Sequence, residues 1–137
     1  MNKNIIMSFE STLQKVESAL TRLGINAEDA RTENPGQWNI SKDQSIQLLL
    51  DVWEENGFYF FQVLSLACPV GDENNAQFFK FLLQENHGFC ETAFTIIDDN
   101  VFLKYTTDAD DTLNEERIFK AITRIAYYNQ IFREKLG

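Results

Sequence analysis

The run Ser45–Ala67, SIQLLLDVWEENGFYFFQVLSLA, constrains the chain more than any other stretch. Two apolar segments flank Glu55-Asn56-Gly57-Phe58. Asn-Gly suits a two-residue type I′ turn, because both central residues need positive φ and these two tolerate it. With that turn Glu55 lies opposite Phe58, and the register of the hairpin follows. Val52 then faces Phe61, Leu50 faces Val63 and Leu48 faces Ser65. On the other face Trp53 meets Phe60, Asp51 meets Gln62 and Leu49 meets Leu64. One face is apolar, as a core requires. The other is only half polar, and this excess of apolar surface points to binding rather than to chemistry.

With 137 residues the chain fits one domain, 1–137, long enough to bury a sizeable core. The net charge of −9 argues against nucleic acid or an anionic membrane surface as a partner, since both would be repelled. Near the start only Ile5-Ile6-Met7 is apolar, too short for a signal-peptide core, and no later run approaches the roughly 18 residues of a membrane span. A cytoplasmic location is expected. Cys68 and Cys90 are the only cysteines, and buried thiols are expected of them in preference to a disulfide.

In chain order, Phe9, Leu13, Val16, Leu20 and Leu23 recur at helical spacing, which predicts a helix over Ser8–Leu23 with Ser8 as N-cap and Gly24 as its C′ residue. Polar residues follow to the turn Asn34-Pro35-Gly36, and Gln37–Ile40 reads as a short strand with Trp38 and Ile40 on one face. Cys68-Pro69-Val70-Gly71 breaks the second hairpin strand. Asp72-Glu73-Asn74 then leads to a helix over Asn75–Asn86, with Ala76, Phe79, Leu82 and Leu83 on its buried face. A second hairpin pairs Glu91–Ile97 with Val101–Thr107. With Asp99-Asn100 as its turn, Ile96 faces Leu103 and Phe94 faces Tyr105, while Thr95, Lys104, Ile97 and Phe102 point outward. A last helix runs from Leu113 to about Lys135, started by a Thr112/Glu115 capping box and burying Ile118, Ala121, Ile122, Ile125, Tyr128, Phe132 and Leu136.

The expected fold is α+β: a mostly antiparallel sheet of four to five strands with three helices covering one face, in the order α-(β)-β-β-α-β-β-α. Candidate chemistry is thin. His87 is the only histidine, and with Cys90 it would need a third, orienting group to make a nucleophilic site. Helix ending at His87-Gly88 and packing of Cys90 at a strand start explain both residues without catalysis. Cys68, His87 and Cys90 lack the paired spacing of a zinc site. Counted from Asp108, an EF-hand loop would need glycine where Leu113 stands and glutamate where Phe119 stands, so Asp108–Asp111 reads as a solvated loop before a helix. No catalytic residue, cofactor or metal is expected.

The element order, length, acidity and apolar hairpin resemble the type III secretion chaperone-like fold, most closely the YbjN-like proteins, described as sensory transduction regulators. That resemblance implies a homodimer without catalysis that holds a largely unfolded polypeptide client along apolar grooves. Leu49, Trp53, Phe60, Leu64 and Leu66 are the candidate protein-binding or dimer-interface residues. The alternatives are that one of the helices covers them, or that the face serves only self-association in a small regulatory or structural protein. An enzyme with a site near His87 and Cys90 is the remaining alternative.

Overall fold

The computed structural model describes residues 2–42, 46–71 and 76–136. Helix α1 (Asn2–Arg22) and a single-turn helix α2 (Ala27–Ala30) precede strands β1 (Gln37–Lys42), β2 (Ile46–Glu55) and β3 (Phe58–Pro69). Helix α3 (Ala76–His87), strands β4 (Ala93–Ile97) and β5 (Asn100–Asp108) and helix α4 (Glu115–Leu136) complete the chain. The strands form one antiparallel sheet in the order β1-β2-β3-β5-β4.

The first hairpin adopts the register its turn dictates. Asn56 and Gly57 take φ of 55° and 86°, and the pairs Glu55–Phe58, Trp53–Phe60, Val52–Phe61, Asp51–Gln62 and Leu49–Leu64 follow in step. The second hairpin turns one residue earlier than expected. Asp98 takes the left-handed conformation, Ile97 pairs with Asn100 and Phe94 pairs with Leu103. Val70 N–H donates to the Asp99 carbonyl (2.8 Å), which ties this turn to the end of β3. Moving a two-residue turn by one position shifts each partner by two, so every side chain stays on its expected face.

Packing on the inner face builds the core. Trp38, Ile40, Leu48, Leu50, Val52, Phe61, Val63, Phe94, Val101, Leu103 and Tyr105 are buried there beneath the helices. Helix α4 contributes Ile118, Ile122, Ile125 and Phe132, and α1 contributes Val16, Ala19 and Leu20. Specific bonds hold each long helix to this side. Glu17 of α1 accepts from the Trp38 indole (2.9 Å), Asn129 of α4 donates to Ser65 (2.6 Å), and Phe81 of α3 stacks on Phe132.

Several expected details change. Helix α1 begins at Asn2, so Ser8 lies within it and not at its cap. Its end is as expected: Gly24 at φ 80° lets Ile25 N–H reach the Leu20 carbonyl and Gly24 N–H the Thr21 carbonyl (both 2.9 Å), a Schellman closure. Helix α4 is capped by Asn114, whose Oδ1 accepts from Arg117 N–H (2.9 Å), while Thr112 N–H donates to Asp110. Strand β3 runs on to Pro69, which needs no donor at the strand end, after a bulge between Leu66 and Cys68. On α3, Ala76 and Leu83 face solvent and Leu82 alone is buried; Phe79 packs against the core as expected, with Phe78 and Phe81 beside it. Leu136 is exposed at the end of α4, and Cys90 is an exposed thiol, not a buried one. The acidic lead-in Asp72-Glu73-Asn74 to α3 lies outside the described residues.

Candidate protein-binding surface

Strand alternation sends a second set of side chains to the outer face, which no helix covers among the described residues. There Leu49, Trp53 and Phe60 are half-buried, Leu64 is 9% exposed and Leu66 is 40% exposed. Leu64 pairs with Leu49 on one side and Lys104 on the other and stands outside the core cluster beneath the helices. These side chains form two patches. Trp53 and Phe60 lie across from one another with ring centroids 5.5 Å apart. Leu49, Leu64 and Leu66 join Phe102 of β5 to line a shallow groove of about 390 Å³, edged by Asn39, Ser41 and Gln47.

A polar row separates the patches. Gln37 Nε2 donates to Asp51 Oδ1 (2.9 Å) and Thr106 Oγ1 to Gln62 Oε1 (3.3 Å). Asp51 and Gln62 thus have partners within the sheet, so their position midway along the face adds no unpaired polar group to it.

The groove's far wall depends on a buried network beneath it. Asn129, fully buried, donates to Ser65 Oγ (2.6 Å) and to the Leu66 carbonyl (3.0 Å), and Ser65 donates to the Gln47 carbonyl (3.0 Å). Arg133 donates to Asn129 Oδ1 (3.2 Å) and also to the Leu66 carbonyl (3.1 Å). The bulge after Leu66 frees that carbonyl from the ladder, and α4 satisfies it. Leu66 is thereby held outward beside Phe102. Burial pushes the nearby Cys68 thiol up from its ordinary pKa, against the pull of Arg133.

A second cleft, of about 380 Å³, lies between α1 and the segment before β1. Its polar groups bond to each other: both Glu17 carboxylate oxygens accept from Arg31 (2.6 Å each), and Glu17 Oε2 also accepts from Trp38. The Arg31 hydrogen bond is the main reason the Glu17 carboxyl is held below its ordinary pKa. These bonds brace α1 and α2 against β1. Elsewhere, His87 sits exposed at the end of α3, and the Cys90 N–H donates to the Tyr128 hydroxyl (3.1 Å). Among the described residues no three His, Cys, Asp or Glu side chains gather as metal ligands would. Asp110 binds Thr112, which pulls its pKa down and shapes the entry to α4.

Sequence reasoning placed five of the groove and patch residues but missed Phe102 as a groove wall. Its outward parity was readable; that β5, and not β4, lies beside β3 was not. Asn129 was missed because a lone polar residue in an apolar helical stripe gives no sign of its partner.

No family model and no curated protein sequence gives a significant match to this chain. Solved structures do match its fold. A chain in the crystal structure of the ExsC-ExsE complex superposes with a TM-score of 0.69 at 11% identity, over 91% of this chain and 92% of that one. The structure of the Yersinia pestis type III secretion chaperone SycH with a stable fragment of YscM2 gives 0.64 at 17% identity, over 88% and 98%. The HopA1-SchA chaperone-effector complex gives 0.69 at 12% identity, over 91% and 97%. The fold is therefore type III secretion chaperone-like. No helix among the described residues is long and apolar enough to cross a membrane.

Proposed function

We propose that this chain is a non-enzymatic binding module that holds a polypeptide segment of another protein on its outer sheet face. It does so as secretion chaperones and YbjN-like regulators are expected to, working as a homodimer in the cytoplasm. The observation that carries this reading is the apolar outer face, Leu49, Trp53, Phe60, Leu64 and Leu66, left without a helix over it among the described residues. Apolar patches of this extent on a monomer's surface usually serve an interaction. The likeness to chaperone complexes supports the same reading.

Self-association has its own candidate surface. Strand β4 is an open sheet edge with Ile96 and Ile97 exposed, and Leu83 of neighbouring α3 is 70% exposed. A second copy placed there would leave the outer face to the client.

Most of the outer apolar area is already partly covered within the sheet, so the free-energy gain on binding is well below that of burying five free side chains. After the costs of association and ordering, a dissociation constant of about micromolar is expected. Light scattering should find a dimer, and an unfolded polypeptide should quench or shift the fluorescence of Trp53. Dimerisation that Trp53→Asp abolishes, without any binding of unfolded polypeptide, would favour self-association as the whole role of the face. A monomer that binds none would reject the reading outright.

A further inference from the structure

Charge around the aromatic patch narrows what the client must look like. Trp53 and Phe60 lie side by side, and Asp108 of β5 pairs directly with Phe60. Asp51 and Glu55 flank Trp53 at two residues on either side, on the same face of β2 and about 7 Å away along the strand. Glu55 and Asp108 are exposed and form no ion pair among the described residues; Asp51 bonds the neutral amide of Gln37. The one cation on this face among the described residues is Lys104, four residues from Asp108 along β5. That is about 13 Å, beyond the screening length at physiological salt, and it places Lys104 beside the aliphatic groove instead.

We infer that the patch takes a basic side chain of the client, Arg or Lys, laid on the Trp53–Phe60 rings within reach of Asp51, Glu55 and Asp108. An aliphatic side chain of the same segment occupies the Leu49–Leu64–Leu66–Phe102 groove. This deepens the client-binding reading and rests on it. Aromatic rings attract a cation through their negative faces, and the carboxylates add attraction that no cation of this patch offsets. An apolar segment without a basic residue would leave three carboxylates against its backbone. A second copy is a poor occupant, since two such faces would set their carboxylates against each other in a chain of net charge −9. From Trp53 to Leu49 is four residues of extended chain, so the segment carries its basic and aliphatic residues about that far apart.

The test uses short fluorescein-labelled peptides, apolar at alternate positions, with Arg, Gln or Glu placed four residues from a leucine. Anisotropy with the full chain should rank Arg over Gln by about fivefold to tenfold, the sum of one exposed cation–π contact and surface ion pairing, with Glu weakest. The Arg advantage should shrink as salt rises. It should shrink in the double variant Glu55→Gln, Asp108→Asn, which removes most of the ion pairing and leaves the share of the Trp53–Phe60 rings. Equal affinity for all three peptides, or an Arg advantage left undiminished by the double variant, overturns the inference while leaving client binding intact. Failure of every peptide to bind overturns the client reading, and this inference with it. Conversion of a dimer to a monomer by the same double variant would place a second copy on the patch and also overturn it.

Discussion

Asn129 is the residue whose removal should be felt furthest from where it sits. It is fully buried, donates two hydrogen bonds, to Ser65 and to the Leu66 carbonyl, and accepts one from Arg133. Asn129→Ala deletes all three bonds, the two donated ones worth about 1 kcal/mol each and the more exposed Arg133 bond less, and leaves a small void that the neighbouring side chains and β3 backbone can fill only in part. Arg133 still reaches the Leu66 carbonyl and Ser65 still donates to Gln47, so neither is orphaned. The expected loss is therefore about 2–4 kcal/mol, not the larger penalty of an abandoned buried group. For a chain of this length that lowers Tm by about 10 °C. Urea unfolding followed by circular dichroism should show a lower midpoint at unchanged slope. Ser65→Ala leaves one N–H of the buried Asn129 amide without its acceptor and should cost about 1–3 kcal/mol, and the double variant should be less destabilised than the sum, because the two residues share a bond. A loss below about 1 kcal/mol for Asn129→Ala would show that the network does not hold α4 to the bulge.

Other perturbations test other links. A Cβ on Gly36 would lie 2.7 Å from the Val52 carbonyl oxygen at φ 81°, so Gly36→Ala should cost about 2–4 kcal/mol. Gly57→Ala, at φ 86° with nothing within 4 Å, should cost only about 1 kcal/mol, and thermal melts of the pair check the difference. Glu17 has a lowered pKa in the folded chain, so its pairing stabilises above the ordinary carboxylate range and is lost as pH falls through the depressed value. The stability gap between the wild type and Glu17→Gln should accordingly hold constant at neutral pH and close in acid, as read by denaturation across pH. Leu66→Glu should leave stability within about 0.5 kcal/mol while weakening polypeptide binding at least tenfold by anisotropy, since it puts a charge in the groove without touching the core.

The parts of this fold that were legible in the sequence are those where local chemistry leaves one solution. Asn56-Gly57 sets both φ values of its turn, and the register of β2 against β3 follows residue by residue. Gly24 ends α1 for the same reason. At Asp98-Asp99-Asn100 three residues tolerate the turn equally, and the deciding bond, Val70 to Asp99, comes from another strand. Ser8 and Thr112 are good caps by type, yet helix α1 extends through Ser8, and Asn114 stands closer to the start of α4 than Thr112. The five outer-face residues were legible because alternation carries an apolar side chain outward whatever lies above it. Whether a helix would cover them was not, since that depends on which side all the helices dock. The order β3-β5-β4, which brings Phe102 to Leu66, is a long-range choice with no local signature.

Central to this account is a sheet sealed by helices on one side and open to a polypeptide on the other. Amide chemical-shift mapping of the isotope-labelled chain, titrated with an unfolded polypeptide, reads both sides at once. The account predicts changes concentrated at Leu49, Trp53, Phe60, Leu64, Leu66 and Phe102 and their strand neighbours. Changes confined to α1, α2 and the cleft before β1, with those six unmoved, would contradict it.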